Sequence, residues 1–201
     1  MEIILASASP SRTKLLDSVG IPHQVQVSGV DEEDPEILKL SPSEMVIALA
    51  IMKARTVAEK LSGDYLVIGC DSTFEFEGKN LGKPGTAEQA KARAKMMSGK
   101  SGLLHTGHCL ISTKEKLEFA DLSTSLVKFA ELTDSEIEAY VATGEPINVA
   151  GGFTLDGLSA AFIERIDGDS SGIIGLSLPL LRRGIKDLGY AWEDIAMRKV
   201  G

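Results

Sequence analysis

Residues 65–70, Tyr-Leu-Val-Ile-Gly-Cys, form an unbroken apolar run that ends on Asp71. A short run that is apolar at consecutive positions, not alternate ones, predicts a strand buried on both faces, at the centre of a sheet covered by helices on each side. That reading places Asp71 at the carboxyl end of a central strand. Open α/β sheets bind ligands in the crevice beyond the carboxyl ends of their strands, so Asp71 becomes a candidate for chemistry, with the capping of a turn as the plain alternative.

The remaining pattern supports the same class. Ile3 to Ala6 reads as a short strand, and Ser9 is placed to cap a helix that begins at Pro10, buries Leu15, Leu16 and Val19, and stops at Gly20. His23 to Val27 alternates toward a second strand, and Asp31-Glu32-Glu33-Asp34 follows as an acidic loop. Ser41 with Glu44 is a capping box before a long helix in which Val46, Leu49, Lys53 and Val57 share a face. Glu77-Gly78-Lys79 predicts a hairpin, Thr86 with Gln89 a second box, and Thr133 with Glu136 a third. Leu103–Ser112 and Leu117–Phe129 read as antiparallel strands, Phe162 to Ile166 as a further strand, and Leu178 to Leu188 as a terminal helix. The prediction is a mixed α/β fold across residues 1–201, a twisted mixed sheet flanked by helices and bent into two lobes with a central cleft.

Composition narrows the partners. A formal net charge of −8 argues against a protein that tracks a nucleic-acid backbone, which needs a broad basic surface. A small anionic substrate needs only a local cluster of cations. Cys70 and Cys109 belong to no C-x-x-C pair, so neither a disulfide framework nor a zinc site is expected. Glu2 stands where a signal peptide carries positive charge, and the longest apolar run, Met45 to Met52, is too short to span a bilayer; the chain reads as cytoplasmic, with no membrane partner.

Three groups of residues suit phosphate chemistry. In Ser7-Ala8-Ser9-Pro10-Ser11-Arg12, small residues let backbone N–H groups approach a ligand at a helix start that favours anions, and Arg12 adds a guanidinium fork. Read alone, this is a capped helix with a surface arginine. Asp71 and Glu32 are two carboxylates able to converge on a divalent cation and an attacking water, although an acidic run is by itself usually a solvated loop. Lys53 lies on the apolar side of its helix and has to snorkel or find an anion, while Lys83 sits in the rigid turn Gly82-Lys83-Pro84; taken singly, each is an ordinary surface lysine. His105 and His108 fall on opposite faces of a strand and read as structural. Neither G-x-x-x-x-G-K-S/T nor G-x-G-x-x-G occurs.

In this order, Leu5-Ala6-Ser7-Ala8-Ser9-Pro10 with Arg12 and Leu15-Leu16, Val30-Asp31-Glu32, Ala48 to Ala54 with Lys53, Ile68-Gly69-Cys70-Asp71, Gly82-Lys83-Pro84, Ser98-Gly99, Thr106-Gly107, Ala150-Gly151 and Gly175-Leu176-Ser177-Leu178 resemble the Maf-like family of nucleotide pyrophosphatases. The resemblance runs nearly end to end. It implies a two-lobed fold of the Maf and inosine-triphosphatase type, hydrolysis of a nucleoside triphosphate to monophosphate and diphosphate, dependence on Mg²⁺ or Mn²⁺, and assembly as a homodimer in many members. It places the proton acceptor at Asp71, a metal ligand role at Glu32 and Asp71, and phosphate binding at Ser7, Ser9, Arg12, Lys53 and Lys83. The family name is also attached to septum formation, so a nucleotide-binding regulator of cell division without turnover is the rival reading.

Two departures bear on the substrate. Ser11 replaces the first of two consecutive arginines found in the pyrimidine-preferring branch, and Asp156 stands where that branch has a glutamine and the branch acting on 7-methyl-GTP has an acidic residue. A carboxylate only accepts hydrogen bonds, which suits the adjacent N1–H and N2–H donors of guanine and not the single donor of uracil or thymine. A guanine-like or modified purine is the expected base, with housecleaning of such nucleotides as the role; otherwise Asp156 merely caps a turn before Gly157.

Overall fold

The computed structural model describes residues 1–197, so 198–201 of the expected span lie outside the described residues. The elements are β1 (Glu2–Leu5), α1 (Pro10–Ser18), β2 (Gln24–Val25), α2 (Pro35–Leu38), α3 (Pro42–Ala58), β3 (Tyr65–Phe76), β4 (Lys79–Leu81), α4 (Ala87–Met97), β5 (Ser101–Ser112), β6 (Leu117–Phe129), α5 (Asp134–Ala142), β7 (Ile163–Asp167), α6 (Ser170–Ile174), α7 (Leu178–Asp187) and α8 (Trp192–Ile195), with 3₁₀ turns between α5 and β7. The strands make one seven-stranded sheet in the order β2-β1-β3-β5-β6-β7, and β4 pairs with β3. β1 runs parallel to β2 and β3 while the other pairs are antiparallel, which is the mixed sheet expected.

The helix starts follow their capping chemistry. Ser41 and Glu44 close a full box on α3, and Thr133 and Glu136 close one on α5. Thr86 accepts from the Gln89 amide, but the reciprocal bond is not made. At α1, Ser9 takes the cap position with Pro10 following, yet its side chain makes no capping bond. Strand β2 is reduced to Gln24–Val25, because Val25 and Val27 are exposed and the alternation marks no buried face. The acidic segment leads into a helix that the sequence pattern does not reveal, α2, capped by the Asp34 carboxylate accepting from the Glu36 amide.

Strand β3 is longer than its apolar run. β5 pairs with it from Leu66 to Glu75, which carries the strand through the polar residues Asp71, Ser72 and Thr73. Asp71 therefore lies within the strand and not at its carboxyl end. On the opposite edge β1 covers only Tyr65–Ile68 and β4 only Phe74–Phe76, leaving Gly69 to Thr73 without a ladder partner there among the described residues. The carboxyl end that frames the crevice is that of β1.

The two expected lobes are two cores strung along β3. One packs Leu5, Leu16, Ile68, Cys70, Leu110, Leu181 and Ile185 between the sheet, α1 and α7. The other gathers Phe74, Phe129 and Phe153, whose rings meet edge to face at centroid distances of 4.9 to 5.8 Å. On the remaining face, α3 buries Val46, Leu49, Ala50, Ala54 and Val57. Each fully buried Val or Leu there contributes about 1.5–3 kcal/mol.

Helix α3 sits on the sheet at two glycines. A Cβ at Gly69 would lie 2.3 Å from the Ala50 carbonyl oxygen, and one at Gly107 would lie 2.2 Å from that of Val46. Only residues without side chains permit this approach. Gly69→Ala is predicted to lower the unfolding free energy by about 2 kcal/mol or more in denaturant titration; an unchanged midpoint would mean that α3 is not seated as described.

His108 joins β5 to the start of α7. Its Nε2 accepts from the Ser177 amide at 2.8 Å, so Nδ1 carries the proton and donates to the Thr106 carbonyl at 3.0 Å. Burial, aided by the positive charge of Arg12, lowers its pKa from the usual 6.5 to about 4. Between these values the unfolded chain binds a proton that the folded chain refuses. Stability is then complete above pH 6.5 and declines as the pH falls toward 4, by roughly 3 kcal/mol from this group. His108→Gln keeps an acceptor for the Ser177 amide and does not titrate, and is predicted to flatten that part of the stability profile relative to the unsubstituted chain. Parallel profiles for the two proteins would contradict the assignment.

Candidate functional site

Lys53 and Asp71 meet because α3 rests so closely on β3. The apolar spacing of α3 turns Lys53 toward the sheet, and Asp71 shares the α3 face of β3 with Gly69, two residues away. Lys53 Nζ donates to Asp71 Oδ1 at 2.6 Å and lies 2.5 Å from Glu32 Oε1. Lys53 and Asp71 are buried, whereas the Glu32 side chain is half exposed on its loop. The lysine that has to snorkel or find an anion has found two.

Arg12 approaches from the other face. Its Nε donates to the Gly175 carbonyl at 2.7 Å, Nη1 to Ser7 Oγ at 2.8 Å and Nη2 to Ser72 Oγ at 3.1 Å. Ser72 follows Asp71 directly and so points to the opposite side of β3. The site thus straddles the bare edge of β3, with Lys53 and Glu32 on one side and Arg12, Ser7 and Ser72 on the other. Ser7 Oγ also accepts from the Ser9 amide at 3.3 Å. With no side-chain cap from Ser9, the first amides of α1 keep their donors for an anion.

The charges act on each other across this edge. Burial raises the pKa of Asp71 above the usual aspartate value, and the charges of Lys53 and Arg12 offset only part of that rise. For Glu32, burial pushes in the same direction, but the Lys53 hydrogen bond and charge, with Lys83 and Arg12 beyond, outweigh it and hold the carboxyl below its usual value. The carboxylates are therefore shifted in opposite directions: Lys53 holds Glu32 toward its ionised form, while burial makes Asp71 a stronger proton acceptor than an ordinary aspartate.

Lys83 is exposed and makes no hydrogen bond or ion pair among the described residues, although its charge reaches Glu32. Its turn is fixed from behind: the Gly82 carbonyl accepts from Gly151 N at 3.1 Å and from Arg93 Nη1 at 2.5 Å, and Gly85 N donates to Ile147 O at 3.0 Å. Ser9 contributes backbone and no side-chain bond. Asp156 is exposed and accepts from the Thr154 hydroxyl; no described contact joins it to the phosphate-type cluster. Its loop is closed by Ser159, whose Oγ accepts from Thr154 N at 2.8 Å and donates to Thr154 O at 2.9 Å, and by Glu145, which accepts from the Leu158 and Ser159 amides.

No group of three or more His, Cys, Asp or Glu side chains among the described residues is arranged to hold a metal. Glu32 and Asp71 nevertheless already converge on one cation, the Lys53 ammonium. Two carboxylates completed by substrate phosphates and water are an ordinary donor set for Mg²⁺ or Mn²⁺, so these residues fit a metal that arrives with its nucleotide. His105 takes no part, being held between Glu75 and Thr124 at 3.0 and 2.9 Å.

Ser72, Thr106 and the Gly172 and Gly175 carbonyls had no assigned role from sequence. Thr106-Gly107 and Gly175 stand among the motif residues, but their contacts join positions 66 and 163 residues apart, and no local spacing reveals them. Among the described residues no helix is long and apolar enough to cross a membrane.

A nucleoside triphosphate pyrophosphatase of Streptomyces coelicolor is 52% identical over 194 residues, covering 96% of this chain and 93% of its own. One of Prochlorococcus marinus is 52% identical over 181 residues, covering 90% of this chain and 96% of its own. A solved nucleoside-triphosphatase / dITP/XTP pyrophosphatase from Mycobacterium abscessus aligns with 66% of this chain and 76% of its own at 15% identity and a TM-score of 0.39, too loose a likeness to bear on fold or chemistry. The family model described as Maf-like protein matches residues 2–188, and the chain belongs to that family.

Proposed function

We propose that this chain is a nucleoside triphosphate pyrophosphatase whose chemistry takes place over the bare edge of β3, with Asp71 as the proton acceptor. The observation that carries the reading is a buried carboxylate with a raised pKa, ion-paired to Lys53 and set beside Arg12. Relatives of that name, 52% identical over nearly the whole chain, support the reaction.

In this reading the triphosphate lies against Ser7, the free amides of α1, Arg12 and Lys83, whose positive charge offsets the charge that builds on the phosphates in the transition state. A Mg²⁺ or Mn²⁺ ion held by Glu32, Asp71 and the triphosphate would add charge neutralisation at the phosphate oxygens. Asp71 takes a proton from water as the water oxygen bonds to the first phosphorus. The bond from that phosphorus to the bridging oxygen breaks, and diphosphate leaves with the electron pair. Lys53 limits how far burial can raise Asp71 and so keeps its base form accessible. Asp156 favours guanine or a modified guanine by accepting from N1–H and N2–H.

Asp71→Asn is predicted to fold with an unchanged melting temperature to within a few degrees and to lose about 10²–10⁴-fold in turnover. Diphosphate release at a near-normal rate would remove Asp71 from the mechanism, and tight nucleotide binding by the unsubstituted protein without any release would favour the regulator. Activity is predicted to vanish in chelator and return with Mg²⁺ or Mn²⁺; full activity in chelator would rule out the metal. Across a panel of triphosphates, GTP and 7-methyl-GTP are predicted to exceed UTP and dTTP in kcat/KM, with Asp156→Gln narrowing the gap. The opposite ranking would reject the base assignment.

A further inference from the structure

A second tier of hydrogen bonds stands behind Arg12. Thr106, fully buried on β5, donates its hydroxyl to the Gly172 carbonyl at 2.8 Å. Ser72 Oγ lies 2.9 Å from Thr106 Oγ1. Thr106 has a single proton and has committed it to Gly172, so the Ser72 hydroxyl has to donate to Thr106. The Ser72 oxygen is then left to accept from Arg12 Nη2 at 3.1 Å. The direction of the whole chain, Arg12 to Ser72 to Thr106 to Gly172, follows from that one commitment.

The same segment is tied to Arg12 a second time, because the Gly175 carbonyl accepts from Arg12 Nε at 2.7 Å. With Ser7 on Nη1, each nitrogen of the guanidinium donates to a neutral oxygen, and among the described residues no carboxylate forms an ion pair with it. Three of its five N–H groups are thereby committed, leaving one on each terminal nitrogen. A buried arginine whose hydrogen bonds go to neutral oxygens keeps its remaining donors and its charge for an incoming anion, and its orientation depends on these neutral acceptors staying acceptors. Serine hydroxyls are free rotors, so Ser72 has the required orientation only while its proton has somewhere else to go.

We infer that Thr106 is a positioning residue for Arg12: by accepting the Ser72 hydrogen bond it turns the Ser72 oxygen toward the guanidinium and fixes the fork that receives the phosphates. The inference rests on the proposed phosphate role of Arg12. Without the Thr106 hydroxyl, Ser72 is free to rotate its proton toward Arg12, where donor meets donor, and the fork loses its alignment. The Gly172 carbonyl keeps a partner in that case, since it also accepts from Gly175 N at 3.1 Å.

The test is a double-mutant cycle in diphosphate release, using Thr106→Val, Thr106→Ser and Arg12→Gln with melting curves for each. Thr106→Val is expected to lower kcat/KM about tenfold, Thr106→Ser to restore most of it, and Thr106→Val to cost nothing further once Arg12→Gln is present. Equal losses in both backgrounds would show a general structural role and overturn the inference. Ser72→Ala cuts the chain one link nearer Arg12 without touching Gly172, and is expected to give a similar loss that also vanishes with Arg12→Gln; it decides the matter if Thr106→Val does not fold. If Arg12→Gln alone leaves activity intact, the phosphate role of Arg12 fails and the positioning role falls with it. An active Arg12-dependent enzyme indifferent to both Thr106→Val and Ser72→Ala overturns only the inference.

Discussion

The close seat of α3 on Gly69 and Gly107 is the constraint on which the site depends. A methyl group at either position would meet the helix backbone at 2.2 to 2.3 Å, so the distance between helix and sheet is set by the absence of side chains. That distance lets an ammonium on α3 reach a carboxylate on β3 within 2.6 Å. A wider gap would leave Asp71 buried without its partner, a costly arrangement that a carboxyl group relieves by staying protonated. The glycines thus act on the chemistry through packing.

The sheet edge is equally consequential. β1 stops after four residues and β4 pairs only with the far part of β3, so among the described residues the middle of a central strand has no ladder partner on one side. Consecutive residues of a strand point in opposite directions, and here both directions are used: Asp71 faces Lys53 and Glu32, and Ser72 faces Arg12. Cations from two separate helices come to one place although the chain as a whole carries a net charge of −8. At these distances the local charges outweigh the average field.

Much of this was legible in sequence because it rests on local signals. Asp71 was marked by the apolar run before it, Lys53 by its place on the buried stripe of α3, and Arg12 by a small-residue turn at a helix start. What escaped depends on tertiary pairing. The length of β3 is set by β5, which a reading of the apolar run alone places too short. Ser9 has the sequence of a cap, but its side chain makes no capping bond, and the nearby Ser7 is engaged by Arg12 instead. Ser72 and Thr106 are undistinguished residues until the fold lines their hydroxyls up. Lys83 and Asp156 stand on loops fixed from behind by Arg93, Gly151, Glu145 and Ser159, and no described contact joins either to the central cluster.

Burial makes Asp71 a better proton acceptor than an ordinary aspartate, and Lys53 restrains the effect. Carbon-13 NMR titration of the Asp71 carboxyl in the metal-free protein, with and without Lys53→Met, measures this directly. The expected result is a pKa above the usual aspartate value that rises further in Lys53→Met. A titration at or below the usual value in the unsubstituted protein, or no upward movement when Lys53 is replaced, would contradict it.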